Sequence, residues 1–141
     1  EKMTNKNGMG RCVTFTGNVP NEEVVGHINA MDIAVAPIPR GPYFHGSPVK
    51  IFEYLAVGKP VVVSRFPVIE SIIFDHKNGL LVEPGDKIRL ANAILELIKD
   101  KSLREQLGRE GRRSVEAHYS WQRNATKILD IYGDIQYRAL G

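Results

Sequence analysis

A single cysteine, Cys12, stands in 141 residues. No disulfide can form within the chain, and no cysteine-based zinc site can be built. No apolar run approaches the roughly 18 residues that would suggest a membrane-spanning helix, and the opening stretch does not read as a secretory signal. Aromatic residues are few at 8%, with one tryptophan. None is interleaved with basic residues in the way a nucleic-acid platform requires. Charge of one sign is also scarce: 19 Lys and Arg against 16 Asp and Glu leave +3, with a pI near 9.1. A chain built to neutralise many duplex phosphates carries more, in one patch. There is no internal repeat and no low-complexity segment. What is present is ordinary globular composition, 43% hydrophobic and 25% charged, at about one domain's length. The expectation is a cytoplasmic chain. Because it begins at Glu1 with a polar stretch rather than at methionine, a piece of something longer is also expected.

Short apolar runs alternate with helical patterns. Val13, Thr14 and Phe15 make a brief β-prone run that stops at Gly17-Asn18. Residues 22 to 31 read as a helix through Val24, Ile28 and Met31, with Asn21 as N-cap. The run Ile33-Ala34-Val35-Ala36 has the look of a strand covered on both faces. Ser47 as N-cap and Pro48 as first helical residue open a helix running to Val57, which stops at Gly58. Pro60 to Val63 is the clearest buried strand; a short segment from Ile69 to Phe74 follows, and Asn78-Gly79 turns into the strand Leu80-Leu81-Val82. Asp86 can cap a helix to about Lys99, with Leu90, Ala91, Ile94, Leu97 and Ile98 on one face. The last third is helical and charged, with a short Leu103–Leu107 stripe. Ser120 caps a final helix, about 120–138, that carries Trp121, Ala125, Ile128, Tyr132 and Ile135 along one face as core or domain-contact residues. Strand and helix in this order make a parallel sheet with helices on both faces: an α/β, Rossmann-like class.

In open α/β sheets, ligands sit at the carboxyl ends of the strands, on the loops leading into helices. The richest such loop runs from Pro37 to Ser47. The helix start beyond it offers unpaired N–H groups to an anion, and Gly46 lets the backbone come close to a ligand. Lys50 and Glu53 lie three residues apart, nearly on one face. Lysine in a first turn opposes the helix dipole, and lysine before glutamate is the weaker pairing order. The pair makes sense if Lys50 reinforces a phosphate site and Glu53 accepts hydrogen bonds from sugar hydroxyls. It makes equal sense as a solvated pair contributing less than about 0.5 kcal/mol. His27, His76 and His118 have no metal-like spacing. Arg40 reads as a solvated loop arginine, Glu70 as a structural group satisfying backbone donors. Arg109, Arg112 and Arg113 form a basic patch that is either a wet helix face or a contact with anionic lipid.

The stretch Gly46-Ser47-Pro48-Val49-Lys50-Ile51-Phe52-Glu53-Tyr54-Leu55-Ala56-Val57-Gly58-Lys59-Pro60-Val61-Val62 resembles the signature of retaining GT-B glycosyltransferases of the family-four, or group 1, type. Val13 to Pro20, Asp32 to Pro37, Asn78 to Asp86 and Tyr119-Ser120-Trp121 resemble that family's segments in order, so the likeness runs from about residue 12 to 135. The resemblance implies the second, donor-binding Rossmann-like domain of a two-domain fold, over residues 1–141. It lacks the acceptor-binding N-terminal domain and its own first strand.

The resemblance also implies roles. Val19 stands where the family's main chain meets the nucleobase, with Gly17 and Asn18 shaping the turn. Gly46, Ser47, Pro48 and Val49 fall at the phosphates, Val49 through its backbone. Glu53 matches the glutamate associated with the nucleotide ribose. Lys50 and His45 fall on the catalytic side. The family's first glutamate lies eight positions before Glu53, where this chain has His45. A histidine with a reference pKa near ~6.5 could bond a sugar hydroxyl or a phosphate, or be a loop residue without a role. The implied reaction is metal-independent sugar transfer, with retention, from a UDP-, GDP- or ADP-sugar to a glycan, lipid-linked or small-molecule acceptor. No cofactor, metal or nucleic acid takes part, and the isolated chain is inactive. A lipid-linked acceptor would add peripheral contact at the inner face of the membrane. The alternative is a non-catalytic nucleotide or nucleotide-sugar binding module.

Overall fold

A computed structural model describes residues 2–41 and 48–139. After a short helix α1 (Lys2–Lys6), which the polar composition of that stretch did not announce, come α2 (Asn21–Asn29), β1 (Ala34–Ala36) and α3 (Val49–Ala56). Next are β2 (Val61–Ser64), α4 (Pro67–Glu70), β3 (Leu80–Val82) and α5 (Lys87–Lys99), then α6 (Lys101–His118) and α7 (Trp121–Ala139). The strands form one parallel sheet in the order β1-β2-β3. Val61 stands opposite Ala34, and Val62 opposite Leu80.

Side chains alternate across a strand, and the register assigns them to two cores. Ala34, Ala36, Val61 and Val63 pack with Ile51 and Leu55 of α3 and with Ile69, Ile72 and Ile73. On the other face Val62, Leu80 and Val82 pack with Leu97 of α5 and Leu107 of α6. Every side chain of β2 is buried, as a central parallel strand requires. The α/β expectation is met.

Three expectations about strands and helix faces change. Val13 to Phe15 form no strand, and Phe15 is 55% exposed. A strand exists only through a ladder, and among the described residues β1 pairs with β2 alone, so this run joins neither edge of the sheet. On α5, Ala91 and Ile98 do not share the buried face. Leu90, Ala93, Ile94 and Leu97 do, while Ile98 is 57% exposed. On α7 the apolar stripe is present, but Trp121 (86%), Ile128, Tyr132 and Ile135 are exposed and none belongs to the core among the described residues, which leaves the domain-contact half of the expectation.

Helix ends follow their local chemistry. Asp86 caps α5 by accepting from the Arg89 amide at 2.9 Å, and Ser120 accepts from the Arg123 amide at 3.3 Å. At the end of α3, Gly58 at φ +77° lets its amide reach the Leu55 carbonyl while the Lys59 amide reaches that of Tyr54. These are the two bonds of a Schellman turn. Asn21, expected as a cap, is instead the first residue of α2. Pro20 takes the capping place, its carbonyl accepting from the Glu23 amide.

Candidate functional site

The β1–α3 connection leaves the carboxyl end of the sheet, and α3 returns beside it. The helix begins one residue later than expected: Pro48, at ψ 26°, is the N-cap, and its carbonyl accepts from the Ile51 and Phe52 amides at 2.9 and 3.3 Å. No side chain caps this end among the described residues. The amides of Val49 and Lys50 therefore point out of the helix, carrying the positive end of its dipole. His45, Gly46 and Ser47 lie outside the described residues, so Ser47 capping has no structural counterpart here.

Lys50 is exposed and Glu53 half-buried. Neither enters an ion pair among the described residues. Glu53 instead faces a groove of about 490 Å³ with Val49, Phe52, Val115, Tyr119 and Trp121. Phe52 and Tyr119 hold their ring centroids 4.9 Å apart, and the Tyr119 hydroxyl donates to the Ser71 carbonyl at 2.9 Å. Burial first, and the Glu53 carboxylate second, hold the Tyr54 phenol above its usual pKa. Ile51 and Leu55 anchor the opposite face of α3 in the core, which fixes the direction of Lys50 and Glu53. Before α2, Gly17 has φ +67°, the left-handed value that a tight turn needs, beside exposed Asn18 and half-buried Val19.

Several groups take partners that residue spacing did not reveal. Arg40 is not a freely solvated arginine: its Nε donates to the Pro84 carbonyl at 2.8 Å. Ser64, buried at the end of β2, accepts from the Ile38 amide at 2.8 Å and donates to the Ile38 carbonyl at 3.1 Å. Glu70 serves a side chain rather than the backbone. Arg65 reaches Glu70 at 2.8 Å, Asp75 at 3.1 Å and Glu83 at 3.2 Å, and hydrogen bonding to Glu70 leads the effects that raise its pKa. Asp75 also accepts from the Leu81 amide of β3 at 2.8 Å.

The basic patch on α6 is charge-balanced. Arg109 faces Glu105, Arg112 faces Glu116 and Arg113 faces Glu110. Each arginine thus has an acidic neighbour on its own helix, and a wet face describes them. No cluster among the described residues groups three metal-ligating side chains, and no described helix is long and apolar enough to cross a membrane.

Over residues 1–100 the chain matches the family model for glycosyl transferases group 1. It is 34% identical over 128 residues to the D-inositol 3-phosphate glycosyltransferase of Corynebacterium jeikeium, a match covering 91% of this chain and 29% of that protein. It is 29% identical over 133 residues to the GDP-mannose-dependent alpha-(1-6)-phosphatidylinositol monomannoside mannosyltransferase of Mycobacterium tuberculosis, covering 92% of this chain and 34% of that one. The fold matches sucrose-phosphate synthase from Thermosynechococcus elongatus with a TM-score of 0.85 and 27% identity, over 97% of this chain and 33% of that one. The chain thus spans only 29% and 34% of the length of these two curated relatives.

Proposed function

The chain belongs to the glycosyl transferases group 1 family, and from that membership we propose that it forms the donor-binding part of a glycosyltransferase. The observation that carries the reading is the start of α3 at the carboxyl end of the sheet, where among the described residues no side chain caps the helix and neither exposed Lys50 nor half-buried Glu53 enters an ion pair. A helix end of this kind binds the diphosphate of a nucleotide sugar through its amides and dipole. The Val49 amide donates to a phosphate oxygen. Lys50 places a full positive charge where charge develops as the nucleoside diphosphate departs, so it stabilises the transition state more than the ground state. Glu53 accepts from the ribose hydroxyls and thereby orients the leaving group. Main chain at Val19, in the turn shaped by Gly17 and Asn18, meets the nucleobase.

The family resemblance assigns Gly46 and Ser47 to the phosphates and His45 to the sugar side. The same resemblance gives transfer with retention and no metal between protein and diphosphate. The donor is a nucleotide sugar, GDP-mannose being named for one relative. The acceptor is bound by a separate N-terminal domain, and this chain alone binds donor without transferring sugar.

Titration calorimetry with UDP, GDP and ADP, on the wild type and on Glu53→Ala, tests the reading. One nucleotide binds, and the variant weakens it by about tenfold or more, the loss of charge-assisted hydrogen bonds to a ribose. A folded, monodisperse protein that binds none of the three refutes it.

A further inference from the structure

Val49, Phe52 and Glu53 stand at i, i+3 and i+4 and therefore form one stripe along α3. That stripe is one wall of the groove of about 490 Å³, and Tyr119, Trp121 and Asn124, where α6 passes into α7, belong to the other. The two walls are held together by aromatic packing. Phe52 lies against the first core and keeps its ring centroid 4.9 Å from that of Tyr119. The Tyr119 hydroxyl is tied in turn to the Ser71 carbonyl at 2.9 Å. Two residues further on, Trp121 is 86% exposed. A single exposed aromatic is ordinary on a protein surface and means nothing alone. This one stands in the same groove as a half-buried carboxylate that enters no ion pair among the described residues. Of the apolar stripe on α7, Trp121 is the member that lines this groove among the described residues.

Val49 and Glu53 are four residues apart, about 6 Å along a helix axis, and both line the groove. A nucleotide whose phosphate meets the Val49 amide and whose ribose meets Glu53 therefore runs along it, with the ribose between the walls. We propose that Trp121 is a further binding residue of the donor site: its indole packs against the C–H face of the ribose whose hydroxyls Glu53 accepts. This rests on the reading of α3 as that site. The chemistry of the two residues is complementary on one ring. A ribose carries its two hydroxyls on one edge, which suits a carboxylate acceptor. Its faces are C–H groups, whose partial positive charge suits the negative face of an indole. Covering that face removes apolar area of both partners from water.

The chain has one tryptophan, so its emission reports this place alone. Excited at the red edge, where tyrosine does not absorb, the wild type is titrated with UDP, GDP and ADP, with free tryptophan as the control for absorption by the nucleotide. Calorimetry follows the same titrations for the wild type, Trp121→Ala, Trp121→Phe, Glu53→Ala and the Trp121→Ala/Glu53→Ala double variant, and a melting temperature is taken for each. The nucleotide that binds changes the emission with the same midpoint as the heat. Trp121→Ala weakens binding by roughly fivefold or more, and Trp121→Phe recovers part of the loss. Melting of Trp121→Ala is unchanged, because so exposed a side chain holds little of the fold. The double variant loses less than the product of the two single losses, since both side chains grip one ring.

Trp121→Ala binding as tightly as the wild type overturns the proposal, whatever the emission does. Heat of binding with unmoved emission overturns it too, as does a loss of affinity that tracks a fall in melting temperature. Losses that multiply independently overturn the shared ring. A folded wild type that binds none of the three nucleotides refutes the donor-site reading and this inference together. Binding by the wild type that is weakened by Glu53→Ala but not by Trp121→Ala refutes the inference alone.

Discussion

The placement of α3, and with it of Lys50 and Glu53, depends on how closely α6 approaches it, and Gly108 sets that distance. Gly108 is buried in α6 against the Gly58-Lys59-Pro60 backbone. A Cβ added there falls far inside contact distance of the Gly58 carbonyl and 3.6 Å from the Pro60 nitrogen. Both neighbours are backbone, so neither can rotate away, and α6 must back off. Overpacking of this kind costs about 1–3 kcal/mol, and a clash with backbone belongs at the upper end. Against it stands the gain of about 1 kcal/mol from replacing glycine by alanine within a helix. The net for Gly108→Ala is a loss of about 2 kcal/mol, or roughly 6–10 °C in melting temperature for a domain of this size.

Gly133→Ala provides the matched control. It lies in α7 with nothing within 4 Å of the added Cβ, so only the propensity gain remains, and melting is unchanged or slightly higher. Thermal unfolding followed by far-ultraviolet circular dichroism measures both variants. Gly108→Ala as stable as Gly133→Ala would refute the close-approach argument. Nucleotide binding by Gly108→Ala should weaken as well, because α3 is displaced with its partner.

Arg65→Ala removes three ion pairs and leaves Glu70, Asp75 and Glu83 facing one another. These groups are a third to a half exposed, so screened pairs of a few tenths to 1 kcal/mol each sum to about 1–2 kcal/mol, read as a lower denaturation midpoint. Arg65→Lys restores only part, since a lysine cannot hold three carboxylates in a fork. The raised Tyr54 pKa favours the neutral phenol in the folded protein. Its contribution to stability is therefore full below the unfolded value near ~10 and lost as pH rises through the higher folded value. Tyr54→Phe should flatten that alkaline decline in denaturation midpoint. Glu53→Gln should lower the pH at which Tyr54 ionises, read as the part of the tyrosinate absorbance that Tyr54→Phe removes.

Local chemistry was legible and long-range side-chain pairing was not. The apolar runs at Val61 and Leu80, the Asp86 and Ser120 caps and the Gly58 terminus were each marked by residues within a short stretch, and all are present. Val13 to Phe15 misled because β-propensity cannot say whether a partner strand exists. Its composition is right for a strand that β1 does not pair with. Ser64 with Ile38 and Arg40 with Pro84 are separated by 26 and 44 residues, and no spacing rule links positions so far apart. Arg65 is the clearest omission. Its carboxylates at 70, 75 and 83 come from three different segments that only the fold gathers. The α7 stripe shows a subtler limit: periodicity identified the face through Trp121, Ile128 and Tyr132, but it cannot say what covers that face. For the site, Lys50 and Glu53 were legible as an odd pair for a helix built only for stability.

The central claim is that a nucleoside diphosphate binds at the start of α3. Backbone amide shifts of the labelled protein, followed by nuclear magnetic resonance during titration with UDP, GDP and ADP, test it residue by residue. The account predicts that one nucleotide moves the Val49, Lys50 and Glu53 amides together with those of Gly17 to Val19, while the α6 arginine face stays still. Shifts confined to the α6 face, or none from a protein with a well-dispersed spectrum, would contradict it.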